Sequence, residues 1–503
     1  MLGRWIRRFV ASMSRAGEDM RAFILVALLA GLSPALARAE SQGAAPPIEW
    51  RDCPWAQSAG AEARCGHLIV PQSRTAERGP DSPRVRVFFA IYRHPGTEAP
   101  LPDPVVVVPG GPGALFNPPV AYVMDGLATL RRRREVIVID QRGVGRSTPR
   151  LVCEAEPSDD GAAPPRRFGS ADCLARLKAR GIDPAAFSTE ETARDLADLR
   201  RALKLEAWNP MGASYGSRVV LRLAQIDPAG SRASVVMAAL PLAPSLARPE
   251  NGQLRSALLA RLFQDCAAEA HCAAAYGDLA AKFAAIQALL KEGAARPAPP
   301  DGKEELEHLI GVERRTGGIA AALIRRLDWG EELPHLPRAV FDLHGFLAAG
   351  KPITRARIDA IYGLAMPRRL PPIDSTLIFV TTRCPEDVLP STAPGERRGR
   401  RDACAAFAPS PVADTPPARA PRVLVITGVY DIRTLSSWAD EIAKSFPGAV
   451  VARFGDAGHD VSYRHPCGNA LMNAFVADPA AKLDLACVAQ HARPKFDVPE
   501  TVQ

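Results

Sequence analysis

The 503-residue chain contains no Cys-x-x-Cys, which removes zinc ribbons and thioredoxin-type redox motifs. Only one stretch is strongly apolar, Ala22 to Leu32, and it is shorter than the roughly 20 residues a bilayer span needs, which removes polytopic membrane proteins. The excess of one charge sign over the other is small, with 63 Lys and Arg against 55 Asp and Glu. The net charge is +8, and half of it lies in residues 1–39, where six Arg face only Glu18 and Asp19. The remainder is too thinly spread for a nucleic-acid footprint. No internal repeat occurs, and 38 Gly with 47 Pro fall well below the roughly 25–30% of low-complexity chains. Collagen, coiled coil and disordered tail are thereby excluded. What is present is 47% hydrophobic and 23% charged residues, the balance of a globular protein with a sizeable core. The length suits two to four structural units, or one large core with an insertion.

Residues 1–39 read as a targeting segment. Arginines precede the apolar run, and Ala35-Leu36-Ala37-Arg38-Ala39 supplies small residues for cleavage after Ala37 or Ala39. Met20, just before Arg21, is an alternative start. Arg7-Arg8 offers a twin-arginine reading, disfavoured by the acids before the apolar run. An uncleaved amphipathic anchor is the plain alternative. The expectation is a secreted or periplasmic protein with no membrane span after cleavage. The ten cysteines agree with export, since disulfides persist in oxidising compartments. They are Cys53, Cys65, Cys153, Cys173, Cys266, Cys272, Cys384, Cys404, Cys467 and Cys487. Paired in chain order they close only short loops, although sequence alone does not settle connectivity.

Strands are expected at 85–92, 104–108, 135–140, 208–213, 234–238, 423–427 and 450–454. Val105-Val106-Val107-Val108 is an unbroken β-branched run, as suits a strand buried on both faces. Helices are expected at 120–134, 189–205 and 216–226. The alternation predicts an α/β class with a mostly parallel sheet covered by helices on both faces. Residues 241–375 carry no β-branched run and are read as an inserted helical cap. That divides the chain into 1–39, a first core part 40–240, the cap, and a second core part 376–503. Pro210 falls where a central strand is expected. Proline cannot donate to the ladder, so a late start or a bulge is expected there.

Gly212-Ala213-Ser214-Tyr215-Gly216 is a G-x-S-x-G between a strand and a helix, the setting of a nucleophile elbow. The flanking glycines let strand and helix nearly touch. An ordinary N-cap serine is the plain alternative. A serine nucleophile needs a base, and the base needs an orienting acid. His459, after strand 450–454, and Asp431, after strand 423–427, give the chain order Ser214…Asp431…His459 of α/β-hydrolases. His465 is the rival base, and Asp456 and Asp440 are the rival acids. The oxyanion donors would be the N–H of Tyr215 and that of Gly110 or Gly111, in the turn after strand 104–108. No metal or cofactor is required.

Together, Pro109-Gly110-Gly111-Pro112-Gly113, Asp140-Gln141-Arg142-Gly143-Val144-Gly145-Arg146-Ser147, the elbow, Asp431 and Gly458-His459 resemble the proline iminopeptidase family. The early Cys53…Cys65, Cys266…Cys272 and the tail with Cys467 and Cys487 resemble its secreted tripeptidyl-aminopeptidase-like branch. The resemblance runs from about residue 50 to 490. It implies an α/β-hydrolase fold with a helical cap, and release of residues or short peptides from free N-termini. It makes Asp140 to Ser147 a framing rather than a catalytic element. It also implies an acid for the substrate ammonium: Glu386 in Cys384-Pro385-Glu386, with Glu331 and Glu332 as further candidates. The chain departs from the family at Ala238-Ala239-Leu240-Pro241, where Asp-Gly-Val or similar is expected.

Two other readings stand beside an aminopeptidase. One is an esterase or lipase using the same triad. The other is a catalytically silent binding protein that keeps the fold. An epoxide hydrolase or haloalkane dehalogenase would carry Asp where Ser214 stands. A peptide or small ester substrate is expected, and no nucleic acid.

Overall fold

The computed structural model describes residues 45–55, 62–74, 82–116, 121–152, 171–242, 251–292, 302–364, 377–386, 412–414, 421–461 and 463–499. The targeting segment 1–39, Cys153 and Cys404 lie outside the described residues. The fold below is that of the unit Pro47–Gln503.

Nine strands make one sheet: β1 (Ile48–Arg51), β2 (Ala63–Pro71), β3 (Arg84–Tyr92), β4 (Val105–Val108), β5 (Val136–Ile139), β6 (Asn209–Ala213), β7 (Ser234–Met237), β8 (Val423–Gly428) and β9 (Val450–Phe454). Their order is β1-β2-β3-β5-β4-β6-β7-β8-β9. β1 to β3 form antiparallel pairs, and β3 meets β5 antiparallel. From β5 to β9 every neighbouring pair is parallel. The seven expected strands are all present. β1 and β2 are not among them: β1, Ile-Glu-Trp-Arg, is short and mostly exposed, and the apolar residues of the largely buried β2 are broken up by Arg64, Gly66 and His67.

The valine run behaves as a doubly buried strand should. Val106 and Val108, with Ile137 and Ile139, join the apolar cluster on one face of the sheet. Val105 and Val107, with Val136 and Val138, join the cluster on the other. Helices α1 (Thr189–Ala202) and α2 (Tyr215–Ile226) pack on the first face. Ser188 caps α1, its Oγ accepting from Glu191 N at 3.2 Å, a cap worth about 1 kcal/mol.

Pro210 does lie in β6, opposite Val106 of β4. Asn209 N donates to Pro104 O on the β4 side, so the alternation of the strand turns the Pro210 nitrogen toward β7. The β6–β7 register starts one residue later, at Met211 and Val235. Before the proline, Trp208 N already donates to Gly230 O and Arg232 N to Trp208 O on that side, so the ladder skips Pro210 and resumes at Met211 rather than starting late or bulging.

Between β7 and β8 the described chain is helical: α3 (Asn251–Ala267), α4 (Ala270–Tyr276), α5 (Leu279–Glu292), α6 (Lys303–Thr316), α7 (Ile319–Leu327), α8 (Leu336–Ala349), α9 (Arg355–Ile361) and α10 (Leu377–Glu386). Helices α3 to α9 share a separate apolar cluster, which also takes in Tyr430 from the turn after β8. Helices α11 (Trp438–Ser445) and α12 (Pro466–Ala477) follow β8 and β9. Disulfides join Cys53 to Cys65, Cys266 to Cys272 and Cys467 to Cys487. Cys173 and Cys384 are also disulfide-bonded. Their expected partners, Cys153 and Cys404, are outside the described residues. Among those residues no helix is long and apolar enough to cross a membrane.

Candidate active site

β6 stops at Ala213 and α2 starts at Tyr215, which leaves Ser214 alone at the corner. Its backbone sits at φ 55° and ψ −128°. A non-glycine residue held there costs of order 1–3 kcal/mol and persists only where its surroundings enforce it. The enforcement is visible. Ser214 N donates to Met237 O of β7 at 3.0 Å, and Ser217 N donates to Ser214 O at 3.0 Å. A Cβ on Gly212 would run into the Gly216 carbonyl, and one on Gly216 into the Val108 carbonyl. The motif glycines are needed because three backbone segments meet at this corner.

The turn after β4 lies against the elbow. A Cβ on Gly110 would come 2.8 Å from Ala213 O and 3.3 Å from Ser214 Cβ. Gly111 follows at φ 105°, a conformation that side chains rarely adopt. Gly110 thus packs against Ser214, with Gly111 next to it in the turn and Tyr215 directly after the serine. The turn is tied from below by Gln141, whose side-chain amide donates to Pro109 O at 2.7 Å. The next residue, Arg142, is fully buried. It donates to Asp195 Oδ2 and Oδ1 at 2.7 and 2.6 Å and to Gln72 O and Ala186 O at 2.7 and 2.6 Å. The Asp140–Ser147 stretch braces α1 and the turn.

Asp431 and His459 sit beyond the ends of β8 and β9. His459 Nδ1 is 2.9 Å from Asp431 Oδ2. Asp431 Oδ1 accepts from the backbone N–H of Arg433 at 2.8 Å and of Thr434 at 2.7 Å, and the Thr434 hydroxyl donates to Oδ2. With Oδ2 accepting, the imidazole proton belongs on Nδ1, and Nε2 is left as the basic nitrogen. Burial alone would raise the Asp431 carboxyl, but the imidazole and the Thr434 donors outweigh it and hold it below the usual 3.8. Burial likewise pulls His459 down, and the Asp431 carboxylate reverses that, leaving it above 6.5. Thr434 is a residue the sequence analysis misses. An Asp that bonds the N–H two and three positions on is a common turn device, so Asp431-x-x-Thr434 was its only signal.

A second carboxylate stands beside this pair. Asp328, just after α7, is 2% exposed. Arg433 Nε donates to its Oδ2 at 2.6 Å, while its Oδ1 has no hydrogen-bond partner among the described residues. Its carbonyl accepts from Asp460 N at 3.2 Å. Gly458 packs so closely that a Cβ would strike the Leu327 and Asp328 backbone. Burial pushes the Asp328 carboxyl up, while Arg433 and then His459 draw it down. The net is upward. No feature of the helical sequence around Asp328 marks it.

The rival groups are occupied elsewhere. Asp440 pairs with Arg453 at the surface. Asp456 Oδ1 lies 3.3 Å from His465 Nε2, and its Oδ2 lies 2.5 Å from His491 Nδ1. These three offer donor atoms within 4.8 Å of one another, close enough for a metal ion. However, His465 Nδ1 accepts from Gly468 N at 3.2 Å, which places the ring proton on Nε2, facing Asp456. The set is closed by its own hydrogen bonds.

Glu386, the expected ammonium anchor, lies buried against the scaffold. It is 2% exposed. Oε1 accepts from Thr189 N at 2.7 Å and Oε2 from Thr189 Oγ1 at 2.6 Å, and Arg218 Nη1 is 3.6 Å from Oε2. These donors come from the scaffold. Glu332 accepts from Arg326 Nε at 3.0 Å. Glu331 is exposed, on the Gly330–His335 turn. That turn adjoins the histidine loop, since Gly330 N donates to the Asp460 carboxylate at 2.9 Å.

The α/β hydrolase fold family matches residues 103–292, and the TAP-like protein family matches residues 394–487. The first match includes the elbow and the turn after β4, and the second includes Asp431, His459 and the Cys467–Cys487 disulfide. A tripeptidyl aminopeptidase of Streptomyces lividans is 29% identical over 204 residues, 37% of this chain and 36% of that protein. Serine protease Hip1 of Mycobacterium tuberculosis is 28% identical over 253 residues, 45% of this chain and 46% of that one. A probable proline iminopeptidase of Streptomyces coelicolor is 31% identical over 125 residues, 25% of this chain and 29% of that one. The matched part of this chain therefore spans less than half the length of each.

Proposed function

We propose that this chain, an α/β-hydrolase-fold protein with a TAP-like C-terminal region, is an exported serine aminopeptidase. The observation that carries the reading is Asp431 bonded to His459 at 2.9 Å, in a chain whose Ser214 stands on a glycine-built corner. In the proposed reaction Ser214 Oγ attacks the scissile carbonyl and His459 Nε2 takes its proton. Asp431 keeps the ring oriented and stabilises the imidazolium. The N–H groups of Tyr215 and Gly111 or Gly110 hold the developing oxyanion. The protonated His459 then passes its proton to the leaving amine, and water releases the acyl group by the same route in reverse. The TAP-like match and the peptidase relatives support a peptide over an ester. The Arg-led apolar segment and the disulfides support export.

An aminopeptidase must also hold the substrate ammonium. With Glu386 bonded into the scaffold, we assign that contact to Glu331, the exposed acid beside the histidine loop. The test uses chromogenic peptide amides with a free or an acetylated N-terminus, beside a short acyl ester. Cleavage confined to free-amine substrates, with KM raised for them alone in Glu331→Gln, is the expected result. Indifference to acetylation, or cleavage of the ester alone, would replace the reading with an esterase.

A further inference from the structure

The group beneath the elbow has a definite direction. The Thr189 hydroxyl has one proton, and it donates it to Glu386 Oε2 at 2.6 Å. The same oxygen lies 2.9 Å from the Tyr215 hydroxyl. With its own proton committed, Thr189 Oγ1 accepts there, so Tyr215 donates. The result is an ordered chain, Tyr215 O–H to Thr189 O–H to Glu386, wholly buried. Arg218, one turn into α2, brings its guanidinium within 3.6 Å of the same carboxylate and is fixed in turn by Pro241 O at 3.0 Å. The three links come from places far apart in sequence: the first residue of α1, the first residue of α2 and the last residue of α10.

Tyr215 occupies the position whose backbone N–H faces the oxyanion in the proposed reaction. Its side chain therefore has a task distinct from its backbone: it decides how the first turn of α2 is oriented under Ser214. We infer that Glu386 is a positioning residue for the nucleophile elbow, acting through Thr189 and the Tyr215 hydroxyl. This rests on the serine-hydrolase reading above. It differs from substrate binding because the contacts of Glu386 among the described residues are with the scaffold, so its effect is expected to be the same for every substrate that uses Ser214.

The decisive variant is Glu386→Gln. The amide still accepts from one Thr189 donor but presents N–H to the other, which breaks the order of the chain. A misplacement of the attacking groups by under an ångström is expected to lower kcat about 10- to 100-fold, with KM changed less than about twofold. The loss is equal for free-amine peptide amides that differ in N-terminal residue and in leaving group, relative to wild type on each. Affinity for a boronic acid that mimics the tetrahedral intermediate falls in parallel with kcat/KM, which a general loss of folding stability would not produce in the folded fraction. Tyr215→Phe keeps the backbone donor and removes one oxygen. It shows the same signature at smaller size, and carries the test if Glu386→Gln does not fold. The double variant is no slower than Glu386→Gln alone, because both break one chain. Unchanged kcat in folded Glu386→Gln, or a rise in KM with kcat retained, overturns the inference. Failure of the serine-hydrolase reading is separate: it appears as turnover surviving in Ser214→Ala.

Discussion

The two halves of the site are held by different means. Ser214 stands on a corner built within five residues, where Gly212 and Gly216 let β6, α2 and the end of β4 touch. His459 is placed by segments far apart in the chain. Asp431 and Thr434 orient the ring, Arg433 reaches to Asp328, and Gly458 rests on the backbone after α7. The first half is local backbone geometry, and the second is packing between a helical insertion and two loops. Local geometry leaves a motif in the sequence. Long-range packing leaves only scattered residue types that gain meaning from the fold.

The largest expected effect removes the first half outright. Ser214→Ala should lower kcat by about 10⁶-fold with the thermal melt unchanged, measured on the best free-amine amide. Residual turnover near wild type would dissolve the comparison, since the corner would then hold no nucleophile. Next come two matched glycine substitutions. Gly216→Ala pushes a methyl group into the Val108 carbonyl within the core, so it should lower unfolding stability by about 1–3 kcal/mol and activity with it, seen by denaturant titration. Gly458→Ala pushes a methyl group against Leu327 and Asp328. It should lower activity while faster amide exchange appears in residues 319–335, across the contact. Equal exchange in both variants would mean that the histidine loop is as locally built as the elbow.

The smallest effect is a shift in pH dependence. His459 must be neutral to accept the serine proton, and Asp431 holds its pKa above 6.5, so kcat/KM should rise with pH through a midpoint above that value. Asp328 adds to this upward pull and Arg433 opposes it. Asp328→Asn should therefore move the acid limb to lower pH, and Arg433→Gln should move it to higher pH. Limbs that stay in place in both variants would confine the control of His459 to Asp431.

The parallel strands and the elbow were legible because each is written in consecutive residues. A β-branched run between turns reads as a buried strand, and glycines two positions either side of a serine read as a tight corner. Pro210 was legible as an anomaly, and its resolution needed the β7 register. β1 and β2 were not legible, because β1 is short and mostly exposed and Arg64, Gly66 and His67 interrupt the apolar residues of β2. Glu386 shows the limit most clearly. Its neighbourhood resembles an element of a peptidase branch, but its partners lie 197 residues upstream at Thr189 and, through that, at Tyr215. Residue type alone could not tell a carboxylate for substrate from one that serves the scaffold.

The burial of Tyr430 bears on how this enzyme could be re-engineered. It is fully buried in the apolar cluster of the helical insertion, and its hydroxyl donates to Asp265 of α3 at 2.6 Å. The next residue in the chain is Asp431. Grafting a foreign insertion to alter substrate preference would thus replace the socket in which the residue beside the proposed triad acid is seated. A workable chimera would keep Asp265 and the Leu327–Asp328 backbone from this protein, and draw its new specificity from the rest of the insertion.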